Sequence, residues 1–297
     1  MRLLLLSLLA VTFLSGCASS SINEPYTYDP NHSRAYNLAR SVGLDELDDV
    51  EVAKSDLSNG WWDAITLGLD TASLMDPVYL DLDFGAAFGT GLLFSMAEPT
   101  DQIKRETIIA WVPESEVSAT DPEEREKEAL LWVANSLTTA TLSTLDEFNI
   151  SYRAVMRNQN IGLPFVFDDY KTFITGHSPN GNECMARYNV KSGSVSKRLP
   201  MPDFISDAEY GYKVFAGSDR QYPDGFVACF GRNMAQLNAK LQAEVSKKLP
   251  PSIFMYRPPY NMGDDGVYPP YIIDQGRSLF FVTAQNGNQS ASEETSD

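Results

Sequence analysis

The clearest apolar rhythm in the chain runs from Asp121 to Phe148. Leu130, Val133, Leu137, Thr141, Leu145 and Phe148 recur at three- and four-residue spacing, the stripe of a helix that buries one face. Asp121 stands where an N-cap is wanted, Pro122 takes the first helical position, and Glu123 and Glu124 meet the positive end of the helix dipole. The Ser and Thr residues between Ser136 and Thr144 are weak helix formers, so the second half depends on tertiary packing. A second stripe, Met234, Leu237, Leu241, Val245 and Leu249, follows Asn233 as cap, with Gln236 three residues on. Lys247 and Lys248 suit its C-terminal end, and Pro250-Pro251 stops it. Shorter helices are expected over 33–42 and 59–75, the latter with Trp62, Ile65, Leu69 and Ala72 on one face and Asp76-Pro77 after it.

Elsewhere the period is two, or the apolar run is short and bounded by turn residues. Strands are predicted over 78–84, 105–112 (ended by Pro113), 150–156 and 253–256. Three hairpins are predicted. Segments 172–177 and 183–190 flank Pro179-Asn180-Gly181, 210–216 and 225–230 flank Tyr222-Pro223-Asp224-Gly225, and 271–274 and 278–283 flank Gln275-Gly276. Residues 191–207 read as a solvated loop with a small basic cluster, Lys191, Lys197 and Arg198, and residues 45–49 as a solvated acidic patch. Arg257-Pro258-Pro259-Tyr260 and Tyr268-Pro269-Pro270-Tyr271 frame a Gly- and Asp-rich loop and serve to fix it between strands.

This order predicts an α+β fold: a mainly antiparallel sheet with two principal helices on one face, plus an N-terminal helical and Gly-rich segment. A ferredoxin-like arrangement with extra strands fits 105–256. The chain divides into a leader (1–16), a tether (17–32) in which His32 is exposed, an N-terminal apolar segment (33–100), the α+β domain (101–285) and an acidic, Ser-rich disordered tail (286–297). Residues 84–97 carry no charge, and Gly85 and Gly89 are four apart. Burial is the expected fate of this stretch; the alternative is a partner- or membrane-contacting element using Phe88, Leu92, Leu93 and Phe94. It is too short to span a bilayer, which takes about 20 apolar residues.

The first seventeen residues carry the most specific signal. Arg2, an apolar run from Leu3 to Leu14 broken only by Ser7 and Thr12, and the small residues Ser15 and Gly16 form a secretory leader. Leu14-Ser15-Gly16-Cys17 resembles the lipobox of bacterial lipoproteins. The resemblance implies cleavage before Cys17, acylation of that cysteine and near-permanent attachment to a membrane. Ala18 rather than Asp at the second mature position is similar to the pattern of lipoproteins sent to the outer membrane, on its periplasmic face.

Composition then narrows the partners. Of 297 residues, 40 are acidic and 23 basic, a formal net charge of −17 that loss of Arg2 deepens by one. Such a surface repels nucleic acid, so none is expected as a partner. With Cys17 acylated, Cys184 and Cys229 remain, and both sit in strand patterns; a structural disulfide is expected in an oxidising compartment. Histidine occurs only at His32 and His177. His177 and Ser178 are adjacent on a strand and point opposite ways, which excludes that pair as nucleophile and base. No nucleophile elbow, zinc-helix, phosphate-loop or dinucleotide pattern is present, and residues 261–265 lack the spacing of an EF-hand loop. No catalytic residue, metal or cofactor is therefore assigned. The expectation is a membrane-anchored lipoprotein that binds or scaffolds an envelope protein or cell-wall component. An enzyme is the less favoured reading: a cell-wall or polysaccharide hydrolase using paired carboxylates such as Asp168-Asp169 or Asp264-Asp265.

Overall fold

The structure, a computed structural model, describes residues 23–45, 47–52, 105–155, 171–190, 193–217, 226–231, 234–261, 267–268 and 270–284. Cys17, the helix expected over 59–75, the strand over 78–84, the stretch 84–97 with Phe88, Leu92, Leu93 and Phe94, both carboxylate pairs, Asn233 and the tail lie outside these residues.

The described chain is α+β. Helix α1 (Arg34–Ser41) begins at Ser33, whose hydroxyl accepts the Tyr36 N–H as an N-cap. Gly43, at φ 90°, closes it. The Leu44 N–H then reaches the Ala39 carbonyl and the Gly43 N–H the Arg40 carbonyl, a left-handed cap that glycine adopts without strain. Strand β1 (Val50–Val52) follows, then β2 (Thr107–Pro113) and a short 3-10 turn at Glu114–Glu116. Helix α2 (Pro122–Glu147) starts as its sequence predicts: Asp121 accepts the N–H groups of Glu123 and Glu124. It ends at Asn149, φ 53°, with Ile150 N–H bonded to the Leu145 carbonyl and Asn149 N–H to that of Asp146, the same closing motif as α1.

Next come β3 (Ser151–Val155), β4 (Lys171–His177), β5 (Glu183–Asn189), β6 (Ser194–Val195), β7 (Leu199–Pro200), β8 (Tyr210–Gly217) and β9 (Val227–Cys229). Helix α3 (Ala235–Lys248) precedes β10 (Ile253–Arg257), β11 (Tyr260–Asn261), β12 (Val267–Tyr268), β13 (Tyr271–Asp274), β14 (Arg277–Phe280) and β15 (Val282–Ala284).

Two main antiparallel sheets result, beside two two-stranded pairs, parallel β1-β15 and antiparallel β11-β12. The larger has the order β14-β13-β10-β2-β8-β6, with β7 also on β8; the smaller is β3-β4-β5-β9. Helices α2 and α3 pack together, and each touches strands of both sheets, so they form a layer between them. The large sheet is covered on its other face as well. Ile109, Trp111, Phe254, Tyr256 and Ile272 meet Leu38 of α1 and Leu199, Met201 and Ile205 there. This explains why β2, β10 and β13 read as near-continuous apolar runs: both faces are buried. β5 instead alternates, with Cys184, Ala186 and Tyr188 inward and Met185 and Arg187 half out, as befits a sheet covered on one face.

Three expectations are corrected. Residues 210–216 and 225–230 do not form a hairpin: β8 joins the large sheet beside β2, and β9 joins the small one beside β5. The 191–207 loop contains β6 and β7, both ladders on β8. The ferredoxin-like order fails because β3 sits in the second sheet and β2 pairs antiparallel with β8. By contrast, β4 and β5 turn at Gly181, and β13 and β14 turn through Gln275 (φ 49°) and Gly276 (φ 80°), the doubly left-handed geometry of a tight hairpin.

Candidate functional site

Polar side chains buried inside the fold are the first place to look for chemistry. Glu106 precedes β2 and Arg257 ends β10; the register Thr107↔Tyr256 brings them side by side on the helix-facing side of the large sheet. They form an ion pair with the two side chains only 2% and 5% exposed. Tyr271 stands opposite Arg257 in the next strand. Burial pushes its phenol up, while Arg257 pulls the other way. Tyr188, from the second sheet, is also raised by burial, and its hydroxyl meets the Thr141 hydroxyl at 2.7 Å. The pair holds two strands of the large sheet at a depth that solvent does not reach, a structural use of charge.

The second concentration lies where residues 23–33 return over the molecule. The sequence reads this segment as tether and His32 as exposed; the structure binds it down. Asn37, fully buried on α1, accepts from the Tyr26 hydroxyl (2.9 Å) and the Asp29 N–H (2.7 Å). Its amide donates to the carbonyls of Asp29 (2.9 Å), His32 (3.4 Å) and Ser33 (2.9 Å). The rings of Tyr26 and Tyr28 lie 6.3 and 5.0 Å from that of Phe204. At the far end, Asn23 Oδ1 accepts the Lys197 N–H at 2.8 Å, and Lys213 Nζ donates to the Glu24 carbonyl at 2.6 Å. Lys213 itself is buried beside Trp111, and burial depresses its amine to about 8 despite Asp45 and Glu24 nearby.

Asp49, expected in a solvated acidic patch, is one of the buried anchors of this strap, its side chain 4% exposed. It accepts from the Ser33 N–H at 2.7 Å and the Ser33 hydroxyl at 2.5 Å, and lies 3.1 Å from His32 Nδ1. Ser, His and Asp are thus together without forming a nucleophilic relay. Ser33 and His32 both turn to the carboxylate, and the His32 ring stacks on Tyr36 at 3.8 Å. Asp274 is similarly engaged, by Arg34 at 3.0 Å and Arg277 at 3.2 Å.

The third feature is open. A groove of about 530 Å³ runs along the outer side of α2 and the end of α3, lined by Trp132, Asn135, Ser136, Thr139, Ala140, Ser143, Lys248 and Pro250. The three-and-four spacing along α2 places the amide and hydroxyls in one row. Trp132 closes one end and donates to Glu116 at 3.0 Å. Lys248 closes the other, donating to Glu147 at 2.6 Å and Ser143 at 3.3 Å. Its size lies in the range of small-ligand sites. With Ala140 and Pro250 in the lining, most of its surface is apolar, and the row of amide and hydroxyl groups adds a few hydrogen-bonding positions. Sequence reasoning passed over this row because it treated the Ser and Thr residues only as weak helix formers.

The other expected residues fall as follows. Cys184 and Cys229 face each other across β5 and β9 and form a disulfide. His177 is exposed at the end of β4, whereas Ser178 is buried and its hydroxyl accepts the Asn182 N–H. In the basic cluster, Arg198 bridges to Glu114 at 2.6 Å and covers the Tyr210 ring at 3.4 Å, and Lys191 lies outside the described residues. Among the described residues, no group of three or more His, Cys, Asp and Glu is placed to hold a metal ion, and no helix is long and apolar enough to cross a membrane. The chain matches no family model, no curated protein and no solved structure.

Proposed function

We propose that this chain is an envelope lipoprotein, attached through Cys17 to the periplasmic face of the outer membrane, whose α+β domain binds or scaffolds another envelope component and carries out no chemistry of its own. The observation that carries the location is the lipobox-like Leu14-Ser15-Gly16-Cys17 behind its apolar leader. The disulfide supports an oxidising compartment. The binding role rests on the groove of α2 and α3, mainly apolar with a row of hydrogen-bonding groups, whose one ammonium, Lys248, is held by Glu147.

Two measurements test this. Cells grown with labelled palmitate should label the wild-type chain and not Cys17→Ala, and the variant should leave the membrane fraction. A photo-crosslinking residue at Asn135 or Thr139 should capture an envelope protein or cell-wall fragment in living cells, and Trp132→Ala should reduce capture. Turnover of cell-wall or polysaccharide substrates by the purified chain, lost on changing a single carboxylate, overturns the non-catalytic part of the reading.

A further inference from the structure

We infer that the β6 edge of the large sheet, with Lys197 at its rim, is the side of this protein that faces the bilayer. The inference rests on lipidation of Cys17 and adds an orientation to it. A tether free as far as residue 31 would span up to about 50 Å from the lipidated residue, enough for the domain to tumble in any pose. The strap removes that freedom. The chain is bonded to the domain from Asn23, through Lys197 and Lys213, and clamped again by Asn37. Six residue steps then separate Cys17 from Asn23. Whatever their path, they reach no farther than about 23 Å, at ~3.8 Å per step.

The point where the strap meets the domain lies at one extreme of the fold. β6 is the last strand of the large sheet, and its ladder on β8 carries Ser196, which accepts the Lys213 N–H at 2.9 Å. The tip of the β4–β5 hairpin, at exposed Asn180, belongs to the other sheet, across the helical layer. The six-residue reach ties the β6 edge, and not that hairpin, to the lipidated residue, and two packing steps of about 10 Å each lie between the two sheets. Exposed Lys197 and the adjacent Arg198 stand at this edge with Glu114 on Arg198 and exposed Glu24 beside them, so the local charges balance in a chain of net charge −17.

The test uses the full lipidated chain in phosphatidylethanolamine–phosphatidylglycerol vesicles carrying a headgroup acceptor dye, with a donor dye on Lys197→Cys or on Asn180→Cys. Energy transfer should be about twofold or more stronger from position 197, because its reach from the anchor is capped at roughly 23 Å. A long Gly-Ser insertion between Ile22 and Asn23, which leaves the strap's bonds intact, should erase that difference. Equal transfer from both positions, or stronger transfer from 180, in a chain that floats with the vesicles overturns the orientation while leaving the anchor standing. Failure of the wild-type chain to float overturns the anchor, and the orientation with it.

Discussion

Replacing Asn37 by Ala is the most informative single perturbation of this fold. The side chain is fully buried and makes five hydrogen bonds, four of them between 2.7 and 2.9 Å, all to residues 26–33. A net value of ~1 kcal/mol per bond sets an upper figure of ~5 kcal/mol. The strap is part-exposed, so several of its freed groups regain water, and the expected loss is ~2–4 kcal/mol. Because Asn37 clamps a segment and not the core, the loss should appear first as local opening. In the folded variant, the Asp29 amide should exchange about thirty-fold to several-hundred-fold faster than in the wild type, at one decade per ~1.4 kcal/mol. Amides of β2 and β10 should change far less. Asn37→Asp should be at least as damaging, since it keeps both acceptor roles but loses all donation to three carbonyls and buries a charge among them. An Asp29 exchange rate within twofold of wild type in Asn37→Ala would refute the clamp.

Four further outcomes can be measured. Lys213 is lowered in the folded state from 10.5 to about 8, chiefly by burial, so the folded chain sheds this proton first. Below about pH 8 the full burial cost is present; stability should rise from there toward pH 10 by up to ~3 kcal/mol, a rise that Lys213→Met removes and urea titration at stepped pH would show. Above pH 10 the slope should reverse as Tyr26, raised to about 12 by burial, lags the unfolded phenol in ionising. Glu106→Gln strips the carboxylate from buried Arg257 and should cost ~3–5 kcal/mol in chemical denaturation; a loss under about 1 kcal/mol would show that the pair is not held out of water. Reducing Cys184–Cys229, which are 45 residues apart, should lower stability by ~4 kcal/mol on the chain-entropy account, seen as a lower urea midpoint with dithiothreitol.

Much of the architecture was legible along the chain wherever a local rule governs it. Asp121-Pro122 starts α2 because the cap and the first turn are satisfied by adjacent residues, and Gln275-Gly276 turns β13 into β14 because two successive left-handed positions tolerate few other pairs. The two cysteines could be paired from their count and their strand settings. Other features escaped. Tyr222-Pro223-Asp224-Gly225 has the composition of a turn, yet β8 and β9 flank it and enter different sheets. Turn composition states that the chain bends, not which partner offers the next free edge. The apolar runs of β2 and β10 signalled burial but not that α1 and Leu199–Ile205 supply the second cover.

What the residues determined alone is therefore where several elements start and turn, with the lipobox-like Leu14-Ser15-Gly16-Cys17 as an expectation beside them. The tertiary structure decided that residues 23–33 are bound down on the domain. Residues 23–32 have no apolar period to betray a docked segment. Their attachments include the amide of Asn37, the ring of Phe204, the amine of Lys213, the Lys197 N–H and the Asp49 carboxylate. Hydrogen bonds of that kind follow from three-dimensional placement, since a polar side chain carries the same letter whether it meets water or a neighbouring carbonyl.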